Sequence, residues 1–292
     1  MTSIHRTVLL NETIEGLNLK RDSVVLDCTF GGGGHSKEIL LRYPDVKIVA
    51  IDQDKSVWEK AKHKFKGLEN RITFVNKNFS EMEDLGSFDG IIFDLGLSSD
   101  QLENSGRGFS FLKDEPLLMT MKENPEDTDL TARDIVNAWS EQSLADIIYG
   151  YGEEKQARRI AKAIVDFRQK EEIKTTFDLI KIIENAIPAR FRRGRIHFAT
   201  KTFQALRIAV NDELGVLKTG LEKGFELLNK EGRVAVISFH SLEDRIVKRF
   251  YKQKEKEGFA RLVNKKIITA NAEEIKNNPR SRSAKLRILE KI

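Results

Sequence analysis

The chain has 292 residues, of which 40% are hydrophobic and 33% are charged, a composition typical of a globular protein that buries a core. No apolar run approaches the ~18 residues of a membrane helix, and the apolar stretch near the N-terminus is too short for a signal peptide. Its single cysteine, Cys28, excludes an intramolecular disulfide. We therefore expect a cytoplasmic protein with no membrane partner. No Cys/His pairing has metal-ligand spacing, so the sequence predicts no metal site.

The net charge is +5, and the basic excess is concentrated in two stretches. No acidic residue lies between Glu184 and Asp212, and none lies between Glu274 and Glu290. Such blocks favour a polyanionic partner such as RNA phosphate, although two solvated faces would give the same pattern. The basic residues are Arg190, Arg192, Arg193, Arg195, Lys201 and Arg207 in the first block, and Lys276, Arg280, Arg282, Lys285 and Arg287 in the second.

The first hundred residues alternate strand and helix signals. Continuous apolar, β-branched runs predict strands at 24–28, 47–52, 72–75 and 88–94, and helices are predicted at 37–41 and 55–66. Apolar strands that alternate with helices are typical of a parallel sheet covered on both faces. We therefore predict an α/β fold with a Rossmann-like sheet.

The pattern changes after about residue 104. Residues 105–125 are irregular, and helices without intervening strands are predicted at 128–138, 141–149, 153–170 and 175–186, with Ser140 and Thr175 as N-caps. A continuous apolar stripe then predicts one long helix over 203–228. Further strands are predicted at 233–239, 263–268 and 285–289. We accordingly predict a core domain from residues 1–104 and 197–292, and an all-helical insert over 105–196.

Polar or glycine features follow four successive predicted strands. Gly31 to Gly34 with His35 follow the first, Asp52 the second, Asn78 and Phe79 the third, and Asp94 the fourth. In an open α/β sheet, ligands bind beyond the carboxyl ends of the strands. The four features together are more specific than any one of them alone, and they predict a cofactor crevice.

An acid at Asp52, twenty-one residues after Gly31, can bind two ribose hydroxyls of NAD or of S-adenosylmethionine. The dinucleotide fingerprint G-x-G-x-x-G fails here, because its sixth position is Ser36 or Lys37. This favours S-adenosylmethionine. The alternative is that Asp52 only caps the next helix. Phe79 would contact adenine or belong to the core, and His35 would cap a helix or contact the cofactor.

Asp94 ends an apolar strand and would be costly to bury without a partner. Beside a methyl donor, its carboxylate could counter the sulfonium charge and accept a hydrogen bond from an exocyclic amine that attacks the methyl group. Methylation at carbon 5 of a pyrimidine needs a cysteine nucleophile, whereas Cys28 lies in the first strand and is assigned to packing. Amine or oxygen methylation remains, and Asp94 favours the amine.

Long segments of the chain resemble the RsmH family, also called MraW. The similarity covers nearly the whole chain and rests on residues 8–12 (VLLNE), 27–36 (DCTFGGGGHS), 50–54 (AIDQD), 93–102 (FDLGLSSDQL), 107–111 (RGFSF), 151–154 (YGEE), 202–214 (TFQALRIAVNDEL), 238–245 (SFHSLEDR) and 280–287 (RSRSAKLR).

The resemblance implies a class I methyltransferase with a helical insert that uses S-adenosylmethionine to methylate N4 of a cytidine, C1402 in common numbering, in 16S rRNA of the small ribosomal subunit. It implies no DNA partner, and a homodimer is left open. The cofactor contacts that it implies are Gly33, Gly34, His35, Asp52, Phe79, Asp94 and Gln101, of which Gln101 enters by resemblance alone.

The expected substrate contacts complete this hypothesis. The helical insert and the basic run with Arg192, Arg193, Arg195 and Lys201 would bind RNA phosphates. His240, just after the fifth strand, would hold the target base or cap the next helix. The chain departs from the family at residues 116–122 (PLLMTMK) and at Phe198, where the family has proline. These departures bear on the substrate cleft and not on cofactor binding.

Two other functions remain open at this point. A nucleotide-dependent oxidoreductase would use the same glycine loop and Asp52 for NAD. A non-catalytic RNA-binding or assembly factor that kept the fold would bind RNA without a cofactor. A protein that only binds RNA has no need of Asp52. Calorimetry would distinguish the oxidoreductase, which binds NAD, from the methyltransferase, which binds S-adenosylmethionine.

Overall fold

A computed structural model describes residues 7–123, 125–194 and 196–292. The strands are β1 (Val24–Asp27), β2 (Lys47–Ile51), β3 (Ile72–Val75), β4 (Phe88–Asp94), β5 (Leu228–Ser238), β6 (Ala260–Leu262) and β7 (Lys285–Lys291). The α-helices are α1 (Leu10–Leu17), α2 (Gly34–Arg42), α3 (Ser56–Ala61), α4 (Ser99–Asn104), α5 (Ala132–Ala138), α6 (Glu141–Gly150), α7 (Ala157–Arg168), α8 (Thr176–Ala186), α9 (Thr200–Asn211), α10 (Glu213–Leu227), α11 (Ser241–Lys256) and α12 (Ala272–Asn277).

The strands form one seven-stranded sheet in the order β3-β2-β1-β4-β5-β7-β6. Strands β1 to β5 pair in parallel, whereas β7 is antiparallel to both β5 and β6. The order confirms the predicted Rossmann-like α/β sheet. Strand β1 lies between β2 and β4, so the strand order reverses at β1, and this is the point where such sheets bind ligands.

Successive side chains of the central strands point to opposite faces of the sheet, and each face packs into its own buried cluster. Ile92 of β4 packs with Val25 in the first cluster, whereas Ile91 and Phe93 pack with Leu26 in the second. All five side chains have 0% of their surface exposed. Burial on both faces explains why these strands read as continuous apolar runs.

The chain divides into two compact units, Met1–Gly96 with Leu214–Ile292, and Leu97–Glu213. The first unit contains the sheet. The second contains α4 to α9, and Phe203 and Leu206 of α9 are buried in one cluster with Ile135 and Ile160 of preceding helices. The domain boundaries predicted at 104/105 and 196/197 stay a prediction. None of the helices in the described ranges is long and apolar enough to cross a bilayer.

The prediction of one long helix over 203–228 is wrong. Helix α9 ends at Asn211, Asp212 has a left-handed backbone with φ of 43°, and α10 begins at Glu213. Apolar spacing of three or four residues continues through a helix break, because periodicity does not report the φ of a single residue. The strand predicted at 263–268 also differs, since β6 covers Ala260–Leu262 and Ile268 makes only an isolated bridge.

Side-chain caps begin four helices in the described part of the second unit, α4 (at Ser98), α5, α6 and α8, and they set the observed boundaries. The predicted caps are confirmed, since Ser140 accepts a hydrogen bond from Ser143 N and Thr175 accepts one from Asp178 N. Thr131 forms a third cap by accepting a hydrogen bond from Asp134 N. This cap starts α5 later than the predicted residue 128. Each such cap contributes about 1 kcal/mol.

Candidate active site

The glycine loop leaves β1 and turns directly into α2. Phe30 N donates to Ile51 O at 3.0 Å, which holds the loop against β2. Gly33 has φ of +71°, and a Cβ atom there would lie 2.7 Å from the Phe30 ring. At Gly34 a Cβ atom would lie 1.7 Å from Thr7 Oγ1. At these two positions glycine is therefore required by the turn and by packing within the protein itself.

Asp52 ties the end of β2 to this loop. Its Oδ2 accepts a hydrogen bond from Gly31 N at 2.9 Å, and its Oδ1 accepts one from Asp54 N at 2.9 Å. Asp54 in turn accepts a hydrogen bond from Ser56 N at 3.1 Å, at the first residue of α3, whose N-cap position is Lys55. Burial raises the pKa of Asp52 to about 6. Each Asp52 oxygen can accept a further hydrogen bond.

Asp27, the last residue of β1, is a second buried acid in the crevice. It is 2% exposed, and it accepts hydrogen bonds from Ser36 Oγ at 2.6 Å and from Thr29 N at 3.2 Å. Burial raises its pKa to about 6. The sequence analysis did not select Asp27. Its position at the end of a predicted strand, just before the glycine loop, would have indicated a site residue by the criterion that selected Asp52 and Asp94.

Asp94 is the last residue of β4 and the acid with the most perturbed pKa of the crevice. Its backbone N donates to Thr29 Oγ1 at 2.6 Å, which joins the ends of β4 and β1. Its Oδ1 is buried and accepts no hydrogen bond from the described parts of the chain. Burial, followed by repulsion from the carboxylates of Asp27 and Glu243, raises the pKa of Asp94 to about 8.

His35 and Asp94 lie close to each other at the ends of β1 and β4. His35 lies in the first turn of α2 and is 4% exposed, and its Nδ1 is 3.7 Å from Asp94 Oδ2. This separation exceeds hydrogen-bond length. The structure therefore places His35 beside the candidate catalytic acid.

His240 caps α11, which is one of the two roles considered for it. Its Nδ1 accepts a hydrogen bond from Glu243 N at 3.4 Å, and Glu243 Oε2 accepts one from Phe239 N at 2.8 Å. Glu243 is 3% exposed. Glu243 was missed from the sequence, yet from the first turn of α11 its carboxylate raises the pKa of Asp94. A base-holding role for His240 stays a prediction.

Phe79 follows β3 and is half-buried. Its ring packs edge-on against Phe93 with centroids 5.4 Å apart. A Cβ atom at Gly220 of α10 would lie 2.6 Å from the Phe79 ring, so the absence of a side chain there makes room for it. One side of Phe79 thus belongs to the core, and its contact with a cofactor adenine stays a prediction.

Comparison with known proteins identifies the family. The model of the MraW methylase family matches residues 2–292. The chain belongs to this family. It is 46% identical to a protein named ribosomal RNA small subunit methyltransferase H from Clostridium botulinum strain Kyoto, over 99% of each chain. The protein of the same name from Brevibacillus brevis is 42% identical, over 99% of this chain and 98% of that one.

The methylase was also compared with solved structures. An rRNA methylase from Streptococcus thermophilus superposes with a TM-score of 0.47 at 11% identity, over 100% of this chain and 99% of that chain.

The family makes this protein a methyltransferase, and its cofactor is S-adenosylmethionine. This confirms the cofactor expected from the failed dinucleotide fingerprint. The oxidoreductase and the non-catalytic RNA-binding factor are not supported. The residues of the crevice fit the cofactor, since Asp52 keeps acceptor capacity for hydroxyl groups and Asp94 Oδ1 has no partner in the described ranges.

The second unit of the methylase holds the other residues selected from the sequence. Gln101 forms a capping box with Ser98, whose backbone N donates to Gln101 Oε1 at 3.0 Å. Lys201 Nζ donates to Glu153 O at 2.8 Å. These observations assign structural roles to both side chains. Contact of Gln101 with the cofactor and of Lys201 with RNA stay predictions.

The basic run of the second unit is only partly engaged in contacts within the protein. Arg192 Nε donates to Ile187 O at 3.3 Å, and Arg192 also lies 3.9 Å from a Glu184 carboxylate oxygen. Arg193 is exposed, and Arg195 lies outside the described residues. The guanidinium of Arg190 lies over the ring of Phe191, 4.9 Å from its centroid. The run thus presents cations at the surface of this unit.

Proposed function

We propose that this protein methylates ribosomal RNA of the small ribosomal subunit, at N4 of the cytidine C1402 of 16S rRNA. The observation that carries the proposal is 46% identity, across 99% of both chains, to a protein named ribosomal RNA small subunit methyltransferase H. The basic surface of the second unit and the crevice acids agree with an RNA substrate and an amine target.

The cofactor would lie along the ends of β1 to β4. Asp52 would accept hydrogen bonds from the ribose hydroxyls, and the loop with Gly33 and Gly34 would line the cofactor's path. Phe79 would contact the adenine, and Gln101 would add a polar contact. When bound, S-adenosylmethionine supplies a methyl group made electrophilic by its sulfonium.

Asp94 would act on the cytidine amine. The lone pair of this amine is delocalised into the ring, so the nitrogen is a weak nucleophile. A hydrogen bond from the amine to Asp94 Oδ1 would orient the nitrogen and increase its electron density. A methylated amine of this kind must lose a proton to become neutral, and Asp94 would take that proton. The pKa of about 8 suits a group that exchanges a proton near neutral pH.

The second unit would bind the RNA. Arg192, Arg193 and Arg195 carry positive charge that attracts phosphates, and Lys201 would add a fourth cation. His240, at the end of β5, would hold the cytosine after it leaves its stack. Residues 105–196 would thus serve as a substrate-recognition insert within the methyltransferase fold.

Mass spectrometry of nucleosides from small-subunit RNA tests the proposal. Cells that lack the protein should lose N4-methylated cytidine at position 1402, and the wild-type gene should restore it. Asp94→Ala should fail to restore it, whereas Asp45→Ala, at an exposed acid paired with Arg21, should restore it fully. An unchanged nucleoside profile in deleted cells, or full restoration by Asp94→Ala, would contradict the proposed target or the proposed role.

A further inference from the structure

Four aromatic rings form a series in the second unit. Phe203 is buried at 4% exposure, and its ring meets Phe111 edge-on with centroids 5.8 Å apart. Phe111 stacks on His197 with centroids 4.5 Å apart and ring planes within 8°. His197 also stacks on Phe198, with centroids 4.2 Å apart. The series, which we call the aromatic stack, runs from the core to the surface.

The outer members of the aromatic stack reach solvent. His197 is exposed, and Phe111 and Phe198 are half-buried. The rings are held in place, because Phe111 rests on the buried Phe203, and His197 Nδ1 accepts a hydrogen bond from Ala199 N at 3.3 Å. A fixed, exposed aromatic surface loses little conformational entropy when a planar group stacks on it.

The stack is electrically neutral but lies in a basic stretch of chain. Partial burial lowers the pKa of His197, so its ring is uncharged at neutral pH. Its Nδ1 is an acceptor, so the neutral ring carries its proton on Nε2. Arg190, Arg192 and Arg193 precede the stack by a few residues, and no acid occurs from residue 185 to residue 211.

An aromatic surface with arginines close by in the sequence is a combination with which proteins bind single-stranded nucleic acid. Aromatic rings stack on bases, and the cations contact the phosphates between them. A paired helix offers phosphates but hides the faces of its bases, so only an unpaired segment uses both features. Phe203 is buried, and Phe111 and Phe198 pack against the same core cluster, but both half-buried rings and His197 keep exposed surface.

We infer that the aromatic stack binds an unpaired base of the RNA substrate by stacking on the exposed part of the Phe198 ring, with His197 behind that ring, while Arg190 and Arg193 contact the adjoining phosphates. The inference rests on the proposed function, because it takes RNA as the substrate. It adds that the second unit recognises a single-stranded segment and names the rings that hold its base.

The test measures RNA binding by fluorescence anisotropy, without cofactor and without catalysis. The probes are a labelled adenosine 12-mer and a 12-base-pair RNA duplex, each titrated between 50 and 300 mM KCl. Phe198→Leu keeps an apolar side chain but removes the aromatic face. It should weaken 12-mer binding about fivefold to tenfold, leave duplex binding unchanged and leave the salt slope unchanged.

Three further variants separate stacking from charge and from folding. Phe198→Trp should restore or strengthen 12-mer binding. Phe259→Leu makes the same change at an exposed phenylalanine of the first unit, and it should have no effect. Arg193→Gln should reduce the log–log salt slope by about 0.7, because one phosphate contact is lost.

A 12-mer with a central 2-aminopurine tests the wild-type protein directly. Stacking on the rings should quench its fluorescence, which remains informative if a variant does not fold. Wild-type 12-mer affinity in Phe198→Leu, equal losses for 12-mer and duplex, or no quenching would overturn the inference. The nucleoside profile of cells that lack the protein is measured independently of these binding assays. A failure of the stacking inference can therefore be distinguished from a failure of the proposed function.

Discussion

Replacing Asp94 with asparagine keeps the shape of the side chain and removes its titration. The folded-state pKa of Asp94 is about 8, against an ordinary value of 3.8. The folded protein therefore keeps a proton that the unfolded chain has lost. The folded state is favoured over the unfolded state by this proton fully below pH 4, and this advantage is lost as the pH rises to about 8.

The size of the effect follows from the pKa difference. A difference of roughly 4 units at ~1.4 kcal/mol per unit gives an upper bound of about 6 kcal/mol. One quarter of the Asp94 side chain is exposed, and solvent screening reduces the figure to roughly 2–4 kcal/mol. Asp94→Asn should therefore gain this much stability over wild type between pH 4 and pH 8, and the difference should level off above pH 9.

Urea unfolding of the cofactor-free protein, followed by circular dichroism at pH 5, 6, 7, 8 and 9, measures the difference. Asp27 and Asp52 also have raised pKa values, but both are present in the two proteins and their contributions largely cancel. Asp45→Asn, at an exposed acid, serves as the control. A stability difference between Asp94→Asn and wild type that stays constant with pH would show that Asp94 is ionised throughout, and it would refute the reasoning.

Three further predictions concern the same crevice. Gly34→Ala should destabilise the protein by about 1–3 kcal/mol because its Cβ meets Thr7, and Thr7→Gly in the same chain should recover most of the loss in thermal unfolding. Ser36→Ala removes the hydroxyl that donates to Asp27, so at pH 8, where Asp27 is ionised, it should lower the free energy of unfolding in urea by about 1.5–3 kcal/mol. Equal losses at pH 5 and pH 8 would count against this. Under the proposed function, kcat/KM should rise with pH through about 8 as Asp94 ionises in the free enzyme, and a flat steady-state profile from pH 6 to pH 9 would argue against Asp94 as the proton acceptor.

Local patterns in the sequence were sufficient for much of the fold and for the position of the crevice. Apolar β-branched runs placed β1 to β4 to within a residue or two, because strands buried on both faces need apolar side chains at nearly every position. Asp52 and Asp94 could be selected because each follows such a run, and the carboxyl ends of parallel strands meet at one edge of the sheet.

The tertiary structure decided what depends on contacts between distant residues. The break at Asp212 needs one φ angle that helical periodicity does not report. The packing of Thr7 against Gly34, and the repulsion between Asp94, Asp27 and Glu243, join segments far apart in the chain. Sequence patterns record the preference of each residue for its own local conformation and burial. A pKa or a close contact depends on the distance between groups, and folding alone sets that distance.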